Sequence, residues 1–193
     1  MNLSSAKTPL RTRLRGLRRR LAAEIPDAAE RAARLLPLER LPPFAVFALY
    51  HPLGSELDPR PLLPLLGKAG AKPALPAAAT RDAPLVFRLW DEGVRLEPDA
   101  AGVPSPPAFA PEVLPDLVIA PALGFDRAGR RLGQGGGHYD RTLANLRRRK
   151  AVFVIGLAFS GQELQELPHE AHDERLDAIL TETGYLEVRH EVR

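Results

Sequence analysis

The chain has 193 residues, 45% of them hydrophobic and 26% charged, which is enough for one sizeable core and short for two. It contains no cysteine, which excludes disulfides, thiolate nucleophiles and cysteine-based zinc sites and fits a reducing compartment, the cytoplasm. Net charge is only +3, and no apolar run approaches the roughly 18 residues of a spanning helix, so neither a membrane protein nor a secreted one is expected.

The charge is unevenly placed. Lys7, Arg11, Arg13, Arg15, Arg18, Arg19 and Arg20 all precede the first acid, Glu24. Organelle transit peptides share such an acid-free, arginine-rich start, but a folded helix explains it better. Thr8 can cap a helix whose first position is Pro9, and Leu10, Leu14, Leu17 and Leu21 then recur on one face. At about 100° per residue, Arg11, Arg15 and Arg18 form a stripe beside the leucines, not opposite them. Such a ridge borders the packed face, where a cleft can form and something anionic can dock; a solvated basic face is the alternative.

Residues 28–36 read as a second, alanine-rich helix, and the apolar run 44–50 as a buried strand. A helix follows at about 58–68. Further strands are expected at 72–76, 85–90, 117–120 and 152–159, with weaker ones at 176–181 and 185–188. Strands alternating with helices imply an α/β fold, a single layered domain over residues 1–193 with a central, mostly parallel or mixed sheet flanked by helices. Between Glu97 and Pro111 five prolines exclude regular structure, and the stretch reads as an active-site loop on the surface.

The most informative segment runs from Pro121 to Asp140, a loop between a strand and a helix starting near His138. Gly133, Gly135, Gly136 and Gly137 allow backbone conformations closed to other residues and bring N–H groups close to a bound anion. A helix N-terminus behind them adds potential favourable to phosphate. The P-loop would need Gly-Lys followed by Ser or Thr, and the dinucleotide fingerprint would need glycine in place of His138, so neither is present. Flanking Arg130 and Arg131 favour a phosphate loop over a merely structural turn. Asp140, just inside the helix, would lie beside such a phosphate, where one or two carboxylates usually help hold magnesium; its other reading is a partner of the helix dipole. Asp173 is the best second carboxylate.

Leu132-Gly-Gln-Gly-Gly-Gly-His-Tyr-Asp-Arg141 resembles the long glycine signature of the 5-formyltetrahydrofolate cyclo-ligase family. The likeness extends through Lys7-x-x-Leu10-Arg11, Glu56-Leu-Asp58, residues 121–125 with Asp126 and Gly129, and Leu167-Pro168 with Asp173 and Asp177. The resemblance implies a cytoplasmic ATP- and Mg2+-dependent ligase that closes a reduced formyl-folate to 5,10-methenyltetrahydrofolate, releasing ADP and phosphate. It implies nucleotide contacts from Lys7, Arg11 and the loop Arg131, Leu132, Gly133, Gln134, Gly135, Gly136, Gly137, His138 and Tyr139, with Arg131 and Tyr139 catalytic. It further implies folate contacts from His51 and Glu56, and magnesium ligation by Asp140 and Asp173.

Three positions depart from the family pattern. His138 stands where tyrosine or phenylalanine is usual, and Ala101 and Ser105 fall where the family commonly has an aromatic residue and a glutamate or glutamine. A nucleotide-binding regulatory or RNA-associated protein is the competing reading, motivated by the basic start. The chain lacks interleaved aromatics and recognised nucleic-acid motifs, so nucleic acid is disfavoured as a partner. Metal binding through His169 and His172 is a third reading, though their spacing makes no zincin motif.

Overall fold

In the computed structural model, which describes residues 3–68, 70–80 and 83–188, the helix at the start is α1 (Leu3–Glu24), followed by α2 (Ala28–Leu35). The strands and helices after them are β1 (Val46–Ala48), α3 (Leu63–Gly67), β2 (Lys72–Ala77), β3 (Val86–Leu89), β4 (Glu97–Pro98), β5 (Pro104–Ser105) and β6 (Glu112–Val113). Next come β7 (Leu117–Pro121), β8 (Gly124–Phe125), β9 (Arg131–Leu132), α4 (His138–Arg149), β10 (Phe153–Leu157), β11 (Ala178–Thr181) and β12 (Gly184–Glu187). None of the helices is long and apolar enough to cross a membrane, among the described residues.

The main sheet has the order β12-β11-β10-β7-β1-β2-β3-β6. Its five central strands, β11, β10, β7, β1 and β2, run parallel, while β12, β3 and β6 pair antiparallel at the edges. The expected mixed, mostly parallel sheet flanked by helices is present. From β1 the chain moves outward to β2, then returns to the other side of β1 with β7 and continues outward to β10 and β11. Strand order therefore reverses between β1 and β7, the place where open α/β sheets leave a crevice beyond their strand ends.

Both faces of the parallel strands are buried, which is why they are apolar throughout rather than alternating. Leu117, Ile119, Ile155 and Leu157 point to one face, where α2 and α3 cover them; Val118, Ala120 and Val154 point to the other, against Leu143 and Leu146 of α4. A third, smaller cluster joins Leu14, Leu10 and Leu17 of α1 to Leu123, Leu132 and Leu167. The leucine face of α1 thus packs as expected, on the hairpin β8–β9 that leads into the glycine loop.

Three local expectations change. Helix α1 begins at Leu3, not after a Thr8 cap, and runs through Pro9. The missing proline N–H removes a rung of the ladder, but Lys7, two residues earlier, is pinned by two carboxylates that hold the turn in place. The helix expected at 58–68 is a 3₁₀ turn, Arg60–Leu62, followed by the single-turn-plus α3, because Pro59, Pro61 and Pro64 cannot donate and Asp58 caps the N–H of Arg60 at 2.9 Å. The proline segment does contain regular structure, since β4 and β5 pair across it.

Candidate active site

The carboxyl ends of β1, β2 and β7 open into a cleft of about 360 Å3, within the range of small-molecule sites. Tyr50 and His51 reach it just after β1, Pro76 and Ala78 at the end of β2, and Pro121 and Leu123 at the end of β7. The glycine loop from Arg131 to Asp140 forms one wall, and Glu170, His172 and Asp173 form another. Asp99, Ala101 and Val103 close a third side, so the proline segment does border the site. Ser105 does not: it is buried, and its hydroxyl donates to the Glu97 carbonyl at 3.4 Å.

The glycine loop earns its composition at two turns. Gly135 has φ 116° and Gly137 φ 64°, left-handed values that a Cβ would strain. Gly137 caps α4 without offering a side chain, so no side chain of its own occupies the helix N-terminus.

The four cations of the α1 stripe meet three segments around the cleft. Lys7 Nζ donates to Asp173 at 2.7 Å and Glu170 at 2.9 Å. Arg11 Nε donates to the Gly133 carbonyl at 3.1 Å, and Arg15 donates to the side chain and backbone oxygens of Gln134 at 3.0 and 2.9 Å. Arg18 donates to Ser55 at 3.2 Å and Glu56 at 3.3 Å. Residues 7, 11, 15 and 18 share one side of a helix at this spacing, so a single rod ties three separate segments together.

Glu56, Asp140, Glu170 and Asp173 each already have a cation. Asp140 accepts from Arg131 Nη2 at 3.1 Å and from the Glu174 N–H at 3.3 Å. Burial alone would raise the pKa of Asp173, but hydrogen bonds from Lys7 and the Glu170 N–H outweigh it and hold the group below the usual carboxylate value. Burial would likewise lower that of Lys7, yet Asp173 and Glu170 hold it above its ordinary value. Ligand-capable atoms of Glu170, His172 and Asp173 lie within 4.8 Å of one another. His169 is not part of that group.

On the opposite side, Glu56 accepts from the Leu53 N–H at 3.0 Å and Gln134 Nε2 at 3.3 Å, besides Arg18. Tyr139 faces Arg131, whose Cζ lies 5.4 Å from the ring centroid. Its buried hydroxyl has no partner among the described residues. Burial, with Glu56 nearby, pushes its pKa well up, so it remains a protonated donor. Tyr50 is held protonated by the same two causes and donates to the Leu57 carbonyl. Arg131 is buried, reaches the Pro121 carbonyl at 3.4 Å and leaves its Nε without a partner among the described residues. His138 lines the cleft with Nδ1 3.4 Å from the Ala83 carbonyl oxygen.

The residues that the family resemblance implies for nucleotide, folate and metal all lie along one cleft, whereas Arg130 and His169 do not line it. Sequence reading missed Glu170 and Asp99, for which only nearness to Asp173 and to the prolines gave any signal, and it considered His172 only as a metal ligand paired with His169. It also missed that Arg18 pairs with Glu56, although the helical stripe already included Arg18.

Sheet topology and cleft together define an α/β protein in which a glycine loop, Lys7, Arg11 and Arg131 share one cleft with Glu56, Asp140, Glu170 and Asp173. A sequence profile of the 5-formyltetrahydrofolate cyclo-ligase family matches residues 3–182. The 5-formyltetrahydrofolate cyclo-ligase of Escherichia coli K12 is 34% identical over 160 residues, covering 80% of this chain and 86% of that protein. That of Haemophilus influenzae is 30% identical over 179 residues, covering 89% and 95%. The NMR structure of 5,10-methenyltetrahydrofolate synthetase from Aquifex aeolicus superposes with a TM-score of 0.77 at 28% identity, covering 97% of this chain and 95% of that one. The chain belongs to the 5-formyltetrahydrofolate cyclo-ligase family, and it is a ligase.

Proposed function

We propose that this protein uses MgATP to convert 5-formyltetrahydrofolate to 5,10-methenyltetrahydrofolate, with release of ADP and phosphate, in the cytoplasm. One observation carries the reading: the glycine loop with Lys7 and Arg11 shares a single cleft with Glu56 and His51, so a nucleotide and a second ligand can meet there. A formyl oxygen on nitrogen is a poor leaving group. It becomes a good one when it takes the γ-phosphoryl group and the bond to ADP breaks. Nitrogen 10 then attacks the formyl carbon, loses its proton, and phosphate departs. Phosphoryl transfer of this kind asks mainly for positioning and charge neutralisation.

Each residue has a part in that scheme. Lys7, Arg11 and Arg131 neutralise phosphate oxygens, and the loop from Leu132 to Gly137 approaches them closely. Tyr139 supplies a protonated hydroxyl, and Glu56 and His51 hold the folate. The donor set suits magnesium, since Asp140 and Asp173 are hard oxygen ligands on the rim of the same cleft. When bound, magnesium would offset charge on the phosphates. Asp173 bonds Lys7 through Oδ2 and Asp140 bonds Arg131 through Oδ1, so the other oxygen of each could hold the metal while both cations stay beside the phosphates. Four of the seven early cations bond residues of other segments, which disfavours an RNA-docking role.

The test is the appearance of the methenyl chromophore from 5-formyltetrahydrofolate. Signal that requires both ATP and magnesium supports the reading; binding of nucleotide without turnover would point to a regulatory protein instead.

A further inference from the structure

We infer that Arg18 is a positioning residue for the folate half of the cleft: it fixes Glu56, and acts on the substrate only through it. The inference rests on the folate role of Glu56 proposed above. Glu56 lines the cleft and Arg18 does not, so Arg18 stands behind the wall that the substrate would meet. The two side chains are 8% and 6% exposed, against 67% and 59% for the ordinary surface pair Arg20–Glu24 on the same helix. Packing gives no reason for a cation at position 18, because Leu10, Leu14, Leu17, Leu21 and Ala22 provide apolar contacts of α1. A guanidinium taken out of water is retained at a desolvation penalty that only a good partner offsets.

The geometry around Glu56 says what the partner is for. Oε1 accepts from Arg18 and Gln134, and Oε2 accepts from the Leu53 N–H, so the carboxylate is held from three segments. Each carboxylate oxygen has two lone pairs, and Oε2 keeps capacity for a ligand donor. A carboxylate already fixed in orientation has little rotamer freedom left to lose on binding. Arg18 is itself steadied by Ser55, the neighbour of Glu56, so it grips the loop at two successive residues.

A double-mutant cycle tests this with the full-length enzyme: wild type, Arg18→Met, Glu56→Gln and the double variant, with Arg18→Lys beside them. The Michaelis constant for 5-formyltetrahydrofolate, kcat, the nucleotide dissociation constant and melting are read for each. Arg18→Met is expected to raise the folate Michaelis constant about tenfold, the change that 1.4 kcal/mol makes, with Arg18→Lys restoring part of it. Its effect should shrink to about twofold or less in the Glu56→Gln background, and nucleotide affinity should stay within about twofold throughout. Because Glu56→Gln also removes the buried charge that Arg18→Met would strand, a loss of folding would shrink in that background too; it would, however, lower melting and weaken nucleotide binding in Arg18→Met, which a positioning role confined to the folate half does not. Equal effects of Arg18→Met in both backgrounds, or parallel loss of nucleotide affinity, overturn the inference. If Glu56→Gln raises the Michaelis constant and Arg18→Met does not, the inference alone fails. If Glu56→Gln changes nothing, the folate role of Glu56 fails and takes the inference with it.

Discussion

Lys7 and Arg11 sit one helical turn apart, yet removing each will read differently. Among the described residues Arg11 bonds only a backbone carbonyl of the glycine loop, so Arg11→Ala should weaken nucleotide binding with melting nearly unchanged. The loss should be about 1.5–3 kcal/mol, the range for hydrogen bonds to charged groups. Lys7 is buried between Asp173 and Glu170, and Lys7→Ala strands both, so it should lower melting as well as affinity. Isothermal titration and thermal melts of the two variants check this; equal stability loss would mean that Arg11 is structural too. Asp140 carries the other residue-scale prediction. As a helix-dipole partner and acceptor for Arg131, its neutralisation to Asn should cost about 0.3–1 kcal/mol of stability and leave metal dependence alone. As a magnesium ligand, Asp140→Asn should raise the magnesium needed for activity at saturating ATP. A magnesium titration with matched melts separates the two.

At the scale of elements, Asp116 joins the starts of β1 and β10 to the end of α4. It accepts from the Ala45 and Val46 N–H groups, each at 2.9 Å, and from Lys150 Nζ, while the N–H of Phe153 donates to its backbone carbonyl at 2.8 Å. Burial alone would raise its pKa, but Lys150 and the two N–H groups outweigh that and hold it below 3.8. A carboxylate depressed by folding stabilises the native state above its unfolded pKa and loses that contribution as pH falls through the folded value. Asp116→Asn should therefore unfold more easily at neutral pH, with the difference shrinking below about pH 4. A constant difference down to pH 3 would mean that the charge of Asp116 contributes nothing. The strands that Asp116 ties are the part of the fold most legible in the sequence, because burial on both faces leaves continuous apolar runs such as Leu117-Val-Ile-Ala120. The helix starts were less legible. Pro9 reads as a first helical position, and nothing local to it reports that Asp173, 166 residues away from Lys7, pins the preceding turn.

For the whole molecule, the candidate site was legible where its chemistry is contiguous and illegible where it is assembled. The glycine loop and Asp140 stand together in the chain, so their spacing exposes them. Glu170 and His172 come from the segment between β10 and β11 and Asp99 from that between β4 and β5, so they meet at the cleft through topology, which no local pattern records.

That assembly carries the last prediction. The cations of α1 bond residues in the segments 55–56, 133–134 and 170–173, and its leucines pack on Leu123, Leu132 and Leu167. Helix α1 cannot leave without opening the cleft, and the cleft cannot open without loosening α1. Calorimetry should therefore give one transition, as expected of a single domain, with no separate early melting of α1. A ligand that binds only the folded state at one hundred times its dissociation constant stabilises by about 2.7 kcal/mol. For a chain of this length that is a rise of roughly 5–10 °C in Tm. Hydrogen exchange should place the gain in α1 as much as in the glycine loop when nucleotide and magnesium are added. Protection confined to the loop, or two calorimetric transitions, would mean that α1 is an accessory to the site and not the rod that holds it together.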